Sequence, residues 1–439
     1  MKLAKALYTS ILWRGVYFIS VLLLNILVAR HFEADGSGQI YYVTNIFAFI
    51  MMLISLCLET PMGYYLSQKK LNETQLSALA LVWSMLVMIP AFFLIRQFSG
   101  AEEIPFERSS FELSANVFLA GNLLITFFVA MFYAKLDFIV PNLLLSGINL
   151  LLIALVPNNT VMQGLLTDEQ YITLYFSGFL LQGVFLAIAF MIKYVKWKEF
   201  SFIPVKLLRP LFSFALIAVV TNSMTFLMYR IDYWFVNKYC SDADLGNYIQ
   251  ACKLAQLFFI IPSILAAVVF PMTASGRREE MNEKMQLLSR GLIVLYATAC
   301  AGLLLVGYWL FPFVFGSSFN NMYWPFLLLV PAILSYSVTH LLTAYYGGKK
   351  VLSVNFWGNV FALALIITGD LIFIPIYGIK GAAAVSSVGY ICYMCYIMYA
   401  HTREYKSSFA DFLIFRKSDW QMLQKTLAEK FLSRKQDNS

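Results

Sequence analysis

Long apolar runs separated by short polar interruptions organise this chain, and twelve of the runs are about 20 residues long. They cover 11–30, 40–64, 76–95, 113–134, 138–156, 171–192, 211–236, 247–272, 291–312, 324–346, 351–374 and 380–400. A helix rises about 1.5 Å per residue, so roughly 20 residues cross the ~30 Å hydrocarbon core of a bilayer. The pattern predicts an all-α polytopic membrane protein with about twelve transmembrane helices. The narrowest interruption is Lys135–Asp137, and 211–236 is the run richest in polar residues. Met1–Lys5 resembles the start of a signal peptide, but no small-residue cleavage site follows, so the first run is expected as a retained helix.

Charge placement orients these segments. Of 32 Lys and Arg residues, Arg30, Arg96, Arg108, Lys238 and Lys380 fall in one set of alternating connections, and Arg14, Arg230 and Lys253 fall inside runs. The remaining 24 fall in the other connections and the two ends. The positive-inside rule then puts both termini in the cytoplasm and supports an even number of spans.

Composition agrees. A length of 439 residues would suit two or three soluble domains, but charged residues are only 13%, against about 25% in soluble proteins. Hydrophobic residues reach 60% and aromatics 17%, as expected of lipid-facing helices with interfacial belts. The net charge of +8 is spread over the inner connections, where it meets anionic lipid rather than nucleic acid. Cys392 and Cys395 form a CxxC with no second pair or nearby His, so they read as small apolar packing residues. No metal or cofactor is expected. In the tail, a Ser418–Gln421 capping box precedes Trp420, Leu423, Leu427 and Phe431 on one helical face. The expectation there is an amphipathic helix on the inner membrane surface.

An offset of 208 residues relates the two halves. ARHFEADGSGQIYYV at 29–43 falls on NKYCSDADLGNYIQA at 237–251, with Gly38 on Gly246 and Arg30 on Lys238. The following helices end near Pro61 and Pro271. Each glycine is expected in an outer turn, where positive φ suits it. Six spans separate the copies, so the repeat is parallel. The expected organisation is an N-terminal six-helix half at 1–192, a basic cytoplasmic linker at 193–210, a C-terminal half at 211–400 and a cytoplasmic tail at 401–439.

These residues carry a family resemblance. LVARHFEADGSGQIYYV at the first-helix exit resembles the polysaccharide-exporter branch of the multidrug/oligosaccharidyl-lipid/polysaccharide superfamily. The stretch 230–276, beginning RIDYWFVNKYCSDADLGNYIQ, is similar to that branch's seventh and eighth helices. FIPIYGIKGAAAVSSVGY at 373–390 is similar to the entry to its last conserved helix pair. The resemblance implies a flippase of polyprenyl-diphosphate-linked oligosaccharides, such as O-antigen or capsule repeat units, working by alternating access. ACKL at 251–254 is similar to a position where the lipid II flippase branch carries a cation, here Lys253.

Ionisable groups inside a bilayer cost about 2.5–3.5 kcal/mol each on insertion scales, which singles out a few residues. Arg14, Arg230 and Lys253 are candidate ligands of a diphosphate headgroup, because Arg donates bidentately and Lys is a compact cation. The competing readings are that Arg14 snorkels to the inner headgroups and that Arg230 is an interfacial anchor. Polar side chains at helical spacing supply a cavity lining for glycan hydroxyls: Asn25 above Arg14, then Asn222, Thr225 and Tyr229, then Gln256 beside Lys253, then Asn355 and Asn359. Glu59 and Asp232 are candidate sites for a coupling proton or sodium ion, and Glu59 is also a candidate ion-pair partner of Arg14. Asp370, near Pro375, reads as a turn residue close to the outer surface, and His340 as a hydrogen-bonded core histidine. The outer connections are short and show no acid/base pairing, which argues against a polymerase or glycosyltransferase. A multidrug cation antiporter of the same superfamily is the other alternative, and it predicts an acidic cavity rather than a cationic one.

Overall fold

The computed structural model describes residues 2–98, 108–157, 166–196, 198, 201–274, 278–416 and 419. Among them no strand occurs. The helices are α1 (Lys2–Ser55), α2 (Glu59–Ser67), α3 (Glu73–Phe98), α4 (Arg108–Ala134), α5 (Ile139–Ala154), α6 (Asp168–Tyr194) and α7 (Val205–Tyr239). They continue with α8 (Asp242–Leu257), α9 (Ile260–Ala274), α10 (Arg278–Phe315), α11 (Tyr323–Gly348), α12 (Leu352–Tyr405) and α13 (Ala410–Leu413). The tail helix expected from Ser418 onward lies outside the described residues, Asp419 excepted.

Both α1 and α12 run for 54 residues, about 80 Å at 1.5 Å each, far beyond one bilayer. Each is in fact two arms. Glu33 breaks α1 with φ 58° and ψ −170°, and Gly378 breaks α12 with φ 58° and ψ −142°. Among the described residues eight helices are long and apolar enough to cross a membrane, and α8 with α9, bent by 42°, makes a ninth where the pair is taken as one broken span. Counting the second arms of α1 and α12 and the shorter apolar α5 brings the number of segments to the twelve expected.

The chain packs as two compact units. The first comprises Met1–Arg230, Ser241–Gly246 and Pro312–Phe319, the second Ile231–Cys240, Asn247–Phe311 and Asn320–Ser439. In the first unit, Phe127, Phe128 and Phe132 of α4 and Phe190 of α6 interlock with Leu58 and Met62 around α2. Gly121 lets α4 lie directly on the backbone of α6 at Phe179 and Leu180, where a Cβ would collide. In the second unit the same 208-residue offset reaches Leu329 and Ser387, and the Ser387 hydroxyl donates to the neighbouring Leu328 carbonyl at 2.5 Å. The α4–α6 contact therefore recurs as α11 on the second arm of α12.

The repeat is also visible in a reciprocal contact inside the first unit. A Cβ on Gly38 would lie 2.7 Å from the Gly246 nitrogen and 3.0 Å from the Asp242 carbonyl, and one on Gly246 would run into the Ala34 carbonyl. Positions 34 and 38 map onto 242 and 246 by the same offset, so the segments meet as two-fold mates do. This corrects the expected role of both glycines. Neither has positive φ; both lie within helices and permit backbone approach.

Three helix-end turns use left-handed residues. Lys69, Leu136 and Lys350 have φ of 54°, 59° and 63°. In each case the next residue's N–H returns five positions to close the helix: Lys70 to Tyr65, Asp137 to Phe132 and Val351 to Tyr346, all at 3.0 Å. At the α4–α5 turn, Asp137 also receives Lys193 at 2.8 Å and the Tyr194 hydroxyl at 2.9 Å. Burial raises the Asp137 carboxyl, but these donors outweigh it and hold it below the usual carboxylate value.

Candidate functional site

Two polar centres stand out, each inside one unit. The first is the break between α1 and α2. Leu56 and Cys57 take φ of 50° and 48°, a left-handed pair that costs roughly 1–2 kcal/mol per residue without glycine. Pro61 has no N–H to return to the Cys57 carbonyl, so Thr60 bonds it instead at 3.1 Å. The indole of Trp83 on α3 donates to the Ile54 carbonyl at 3.0 Å, covering a group the break exposes. At this opening the Asn222 amide of α7 donates to the Cys57 sulfur at 3.4 Å, and the Cys57 thiol meets the Glu59 carboxylate. Glu59 Oε2 is buried without a hydrogen-bond partner among the described residues. Glu59 and Asn222 thus come together, as two of the expected site residues.

An equivalent break separates α8 from α9. Pro262 cannot bond the Phe258 carbonyl, and the Tyr296 hydroxyl of α10 donates to it in place of the missing N–H. The proline that matches Pro61 at a helix break is therefore Pro262, not Pro271. Lys253 and Gln256, both half-buried, lie in the turn before this break. Because α8 begins at Asp242, Lys253 is 11 residues along it, about 16 Å, deeper than its position in the apolar run suggested. Beyond the break, His340 on α11 is bonded through Nε2 to Ser263 and through Nδ1 to the Tyr336 hydroxyl, each at 3.2 Å.

The second centre surrounds Asp232 on α7, which is 3% exposed. The Tyr248 hydroxyl of α8 donates to Asp232 Oδ2, and the Ser386 hydroxyl of α12 donates to the same oxygen at 3.2 Å. Asp370, on the first arm of α12, is within electrostatic reach of Asp232. It is fully buried, and neither of its carboxyl oxygens has a hydrogen-bond partner among the described residues. The expectation of a surface turn at Asp370 is therefore wrong. The residue belongs to an apolar helix, and its acid faces inward. A carboxyl group buried without a hydrogen-bond donor, as at Asp370, is costly to ionise unless a proton or a cation meets it. Asp232, Asp370, Tyr248 and Ser386 offer oxygen atoms there, a chemistry that suits a proton or a hard cation such as sodium.

Other expected residues are placed differently. Arg14 is exposed, and its guanidinium lies 4.3 Å from the Tyr133 ring centroid. No carboxylate is within ion-pair distance of it among the described residues, so the Arg14–Glu59 pair does not form. Asn25 spends its amide on the Val21 carbonyl at 3.0 Å, and Thr225 its hydroxyl on Thr221 at 3.1 Å. Tyr229 and Arg230 are half-buried near the end of the first unit's part of α7. The expected face from Asn222 to Asp232 is therefore divided between the units, with Asp232 in the second. Asn355 bonds the Thr343 carbonyl at 3.0 Å and its carbonyl receives Tyr393, which ties α11 to α12; Asn359 is buried on the same arm. Cys392 and Cys395 are exposed on α12 rather than packed.

The comparisons with known proteins bear on the fold. A family model described as "Polysaccharide biosynthesis protein" matches residues 169–323. No curated protein sequence matches the chain. Among solved structures, the lipid II flippase MurJ in an inward closed conformation is similar at TM-score 0.65 and 16% identity, over 92% of this chain and 89% of that one. An inward-facing multidrug resistance MATE transporter is similar at TM-score 0.66 and 14% identity, over 89% and 95%. A transporter of the MOP superfamily from Pyrococcus furiosus Vc1, described as having a binding pocket of reverse polarity, is similar at TM-score 0.64 and 14% identity, over 91% and 95%. The chain is an all-α polytopic membrane protein with the fold of this transporter superfamily.

Proposed function

We propose that this protein translocates polyprenyl-diphosphate-linked oligosaccharide units across a bacterial cytoplasmic membrane, driven by a proton or sodium ion. The polysaccharide-biosynthesis match and the fold shared with a lipid II flippase support the substrate class. Lys253 supports it chemically: an ammonium about 16 Å along α8, one turn before a helix break, suits a diphosphate that leaves water. Arg14 and Arg230 serve as further cationic stations, and Asn222, Gln256 and Glu59 add polar groups at the two breaks. No catalytic residue is assigned, because translocation makes and breaks no bond.

The observation that carries the coupling step is Asp370, buried with both oxygens unbonded beside Asp232. A cation or proton taken up there would satisfy the Asp370 carboxyl next to Asp232, on which Tyr248 and Ser386 already converge. That event changes how α7, α8 and both arms of α12 pack, which is what an alternating-access transporter must couple to its gradient.

The same acid pair favours a second reading, a cation antiporter that extrudes organic cations. Native mass spectrometry of gently solubilised protein separates the two. Retention of a polyprenyl-diphosphate oligosaccharide, weakened at least tenfold by Lys253→Ala, is expected. Absence of such a lipid together with retention of added organic cations would replace the flippase by the antiporter.

A further inference from the structure

A cavity of about 600 Å³ runs along α12 in the second unit, within the range of ligand pockets. One wall is the first arm, with Phe373 and Tyr377 stacked at 6.2 Å between ring centroids. The other is the second arm, with Lys380, Ala384 and Val388. Its floor is set by Gly369, where a Cβ would lie 2.6 Å from Val385, so the arms touch at the base and part above it. Thr368, on its lining, spends its hydroxyl on the Ala364 carbonyl. The remaining polar lining, Tyr377 and Lys380, is gathered at one end.

That end has the chemistry of a membrane interface. The Lys380 ammonium lies 5.2 Å from the Trp324 ring centroid, and Trp324 and Tyr377 are both exposed. Among the described residues Lys380 has no acidic partner. From Tyr377 to Leu365 the groove follows 12 residues, about 18 Å, close to the roughly 15 Å of one leaflet. Its open side is apolar, with Ile372 and Val388 about half exposed, and on a membrane-crossing helix that side meets hydrocarbon.

We propose that this groove binds one acyl chain of an anionic phospholipid whose phosphate pairs with Lys380. The unpartnered ammonium calls for an anion, and the leaflet-length apolar trough calls for a single chain of matching reach. The much longer polyprenyl chain of the proposed cargo would overrun the groove. Neither Asp232 nor Asp370 lines the groove, although its floor at Gly369 adjoins Asp370, and the proposal does not rest on the transport reaction.

The test is native mass spectrometry of delipidated full-length protein, offered equimolar phosphatidylglycerol and phosphatidylcholine. The expected result is one retained phosphatidylglycerol, preferred about fivefold, as one cation at an anionic surface provides. Lys380→Gln should bring the preference to about one. Filling the trough with Ala384→Phe, or with Thr368→Phe at an exposed position that spares the core, should lower retention about tenfold with Lys380 intact. Equal retention of the two lipids by wild type, or retention unchanged in both trough variants, would overturn the proposal. So would displacement of the phospholipid by equimolar polyprenyl phosphate, or a protein dimer that replaces the lipid as it is removed.

Discussion

Glu33 and Gly378 hold nearly the same backbone conformation at the hinges of the two 54-residue helices, but only Gly378 does so without a Cβ. For a side chain this region costs of order 1–3 kcal/mol. Glu33→Gly should therefore raise the apparent melting temperature in detergent, and Gly378→Ala should lower it by a comparable free energy. A lowered melting temperature for Glu33→Gly would show that the Glu33 side chain contributes more than its backbone costs. At the carboxylate centre, Asp232→Asn and Asp370→Asn should each abolish any sodium- or proton-dependent shift in melting temperature while leaving the fold intact. An unchanged shift in Asp370→Asn would remove Asp370 from the ion site. Residue by residue, the sequence was informative in proportion to context. Asp232 was recognisable as an acid in a polar helical stripe. Asp370 was not, because Gly369 before it and Pro375 after it look like turn residues. Its signal was the uninterrupted apolar helix on both sides, LALIIT and LIFIPI.

Helix elements were readable where their boundaries are polar and hidden where they are apolar. The twelve runs return as arms or helices because each crossing needs about 20 apolar residues whatever its partners. The breaks after Ser55 and Leu257 were missed because Leu56, Cys57, Phe258 and Phe259 look like helix interior. Only Pro61 and Pro262, each removing one N–H, marked them in advance. Tyr296→Phe should leave the Phe258 carbonyl without its donor and destabilise the protein by about 1–3 kcal/mol, read as a lower denaturation midpoint. The α4–α5 turn adds a pH dependence. Asp137 is held below its unfolded value near 4, so its stabilisation is full above about pH 4 and is lost as pH falls through the lower folded value. Hydrogen exchange at 132–140 should accelerate in wild type as pH falls below about 4. Asp137→Asn should show that fast exchange already at pH 7, and equal protection of the two proteins at pH 7 would contradict the assignment. A further turn-like clasp joins Arg290 of α10 to Asp419 through two 2.7 Å bonds, and nothing in the apolar pattern pointed to it.

For the whole molecule, the 208-residue repeat was legible from a handful of matched positions, and its physical content differs from the expected one. The glycines at 38 and 246 are close-approach residues that face each other, not turn residues. Arg14, Arg230 and Lys253 were legible as charges inside apolar runs, but the acid pair proposed to take the coupling ion joins α7 to α12, across 138 residues of sequence no local spacing connects. The central claim is that a diphosphate-linked glycan lipid moves through this fold at the expense of an ion gradient. It is tested most directly in proteoliposomes by following translocation of a polyprenyl-diphosphate oligosaccharide under an imposed sodium or proton gradient. Wild type is expected to show gradient-dependent translocation, Asp370→Asn a fall to the gradient-free rate, and Lys253→Ala a higher lipid requirement. Gradient-driven efflux of organic cations with no movement of the lipid-linked glycan would contradict it.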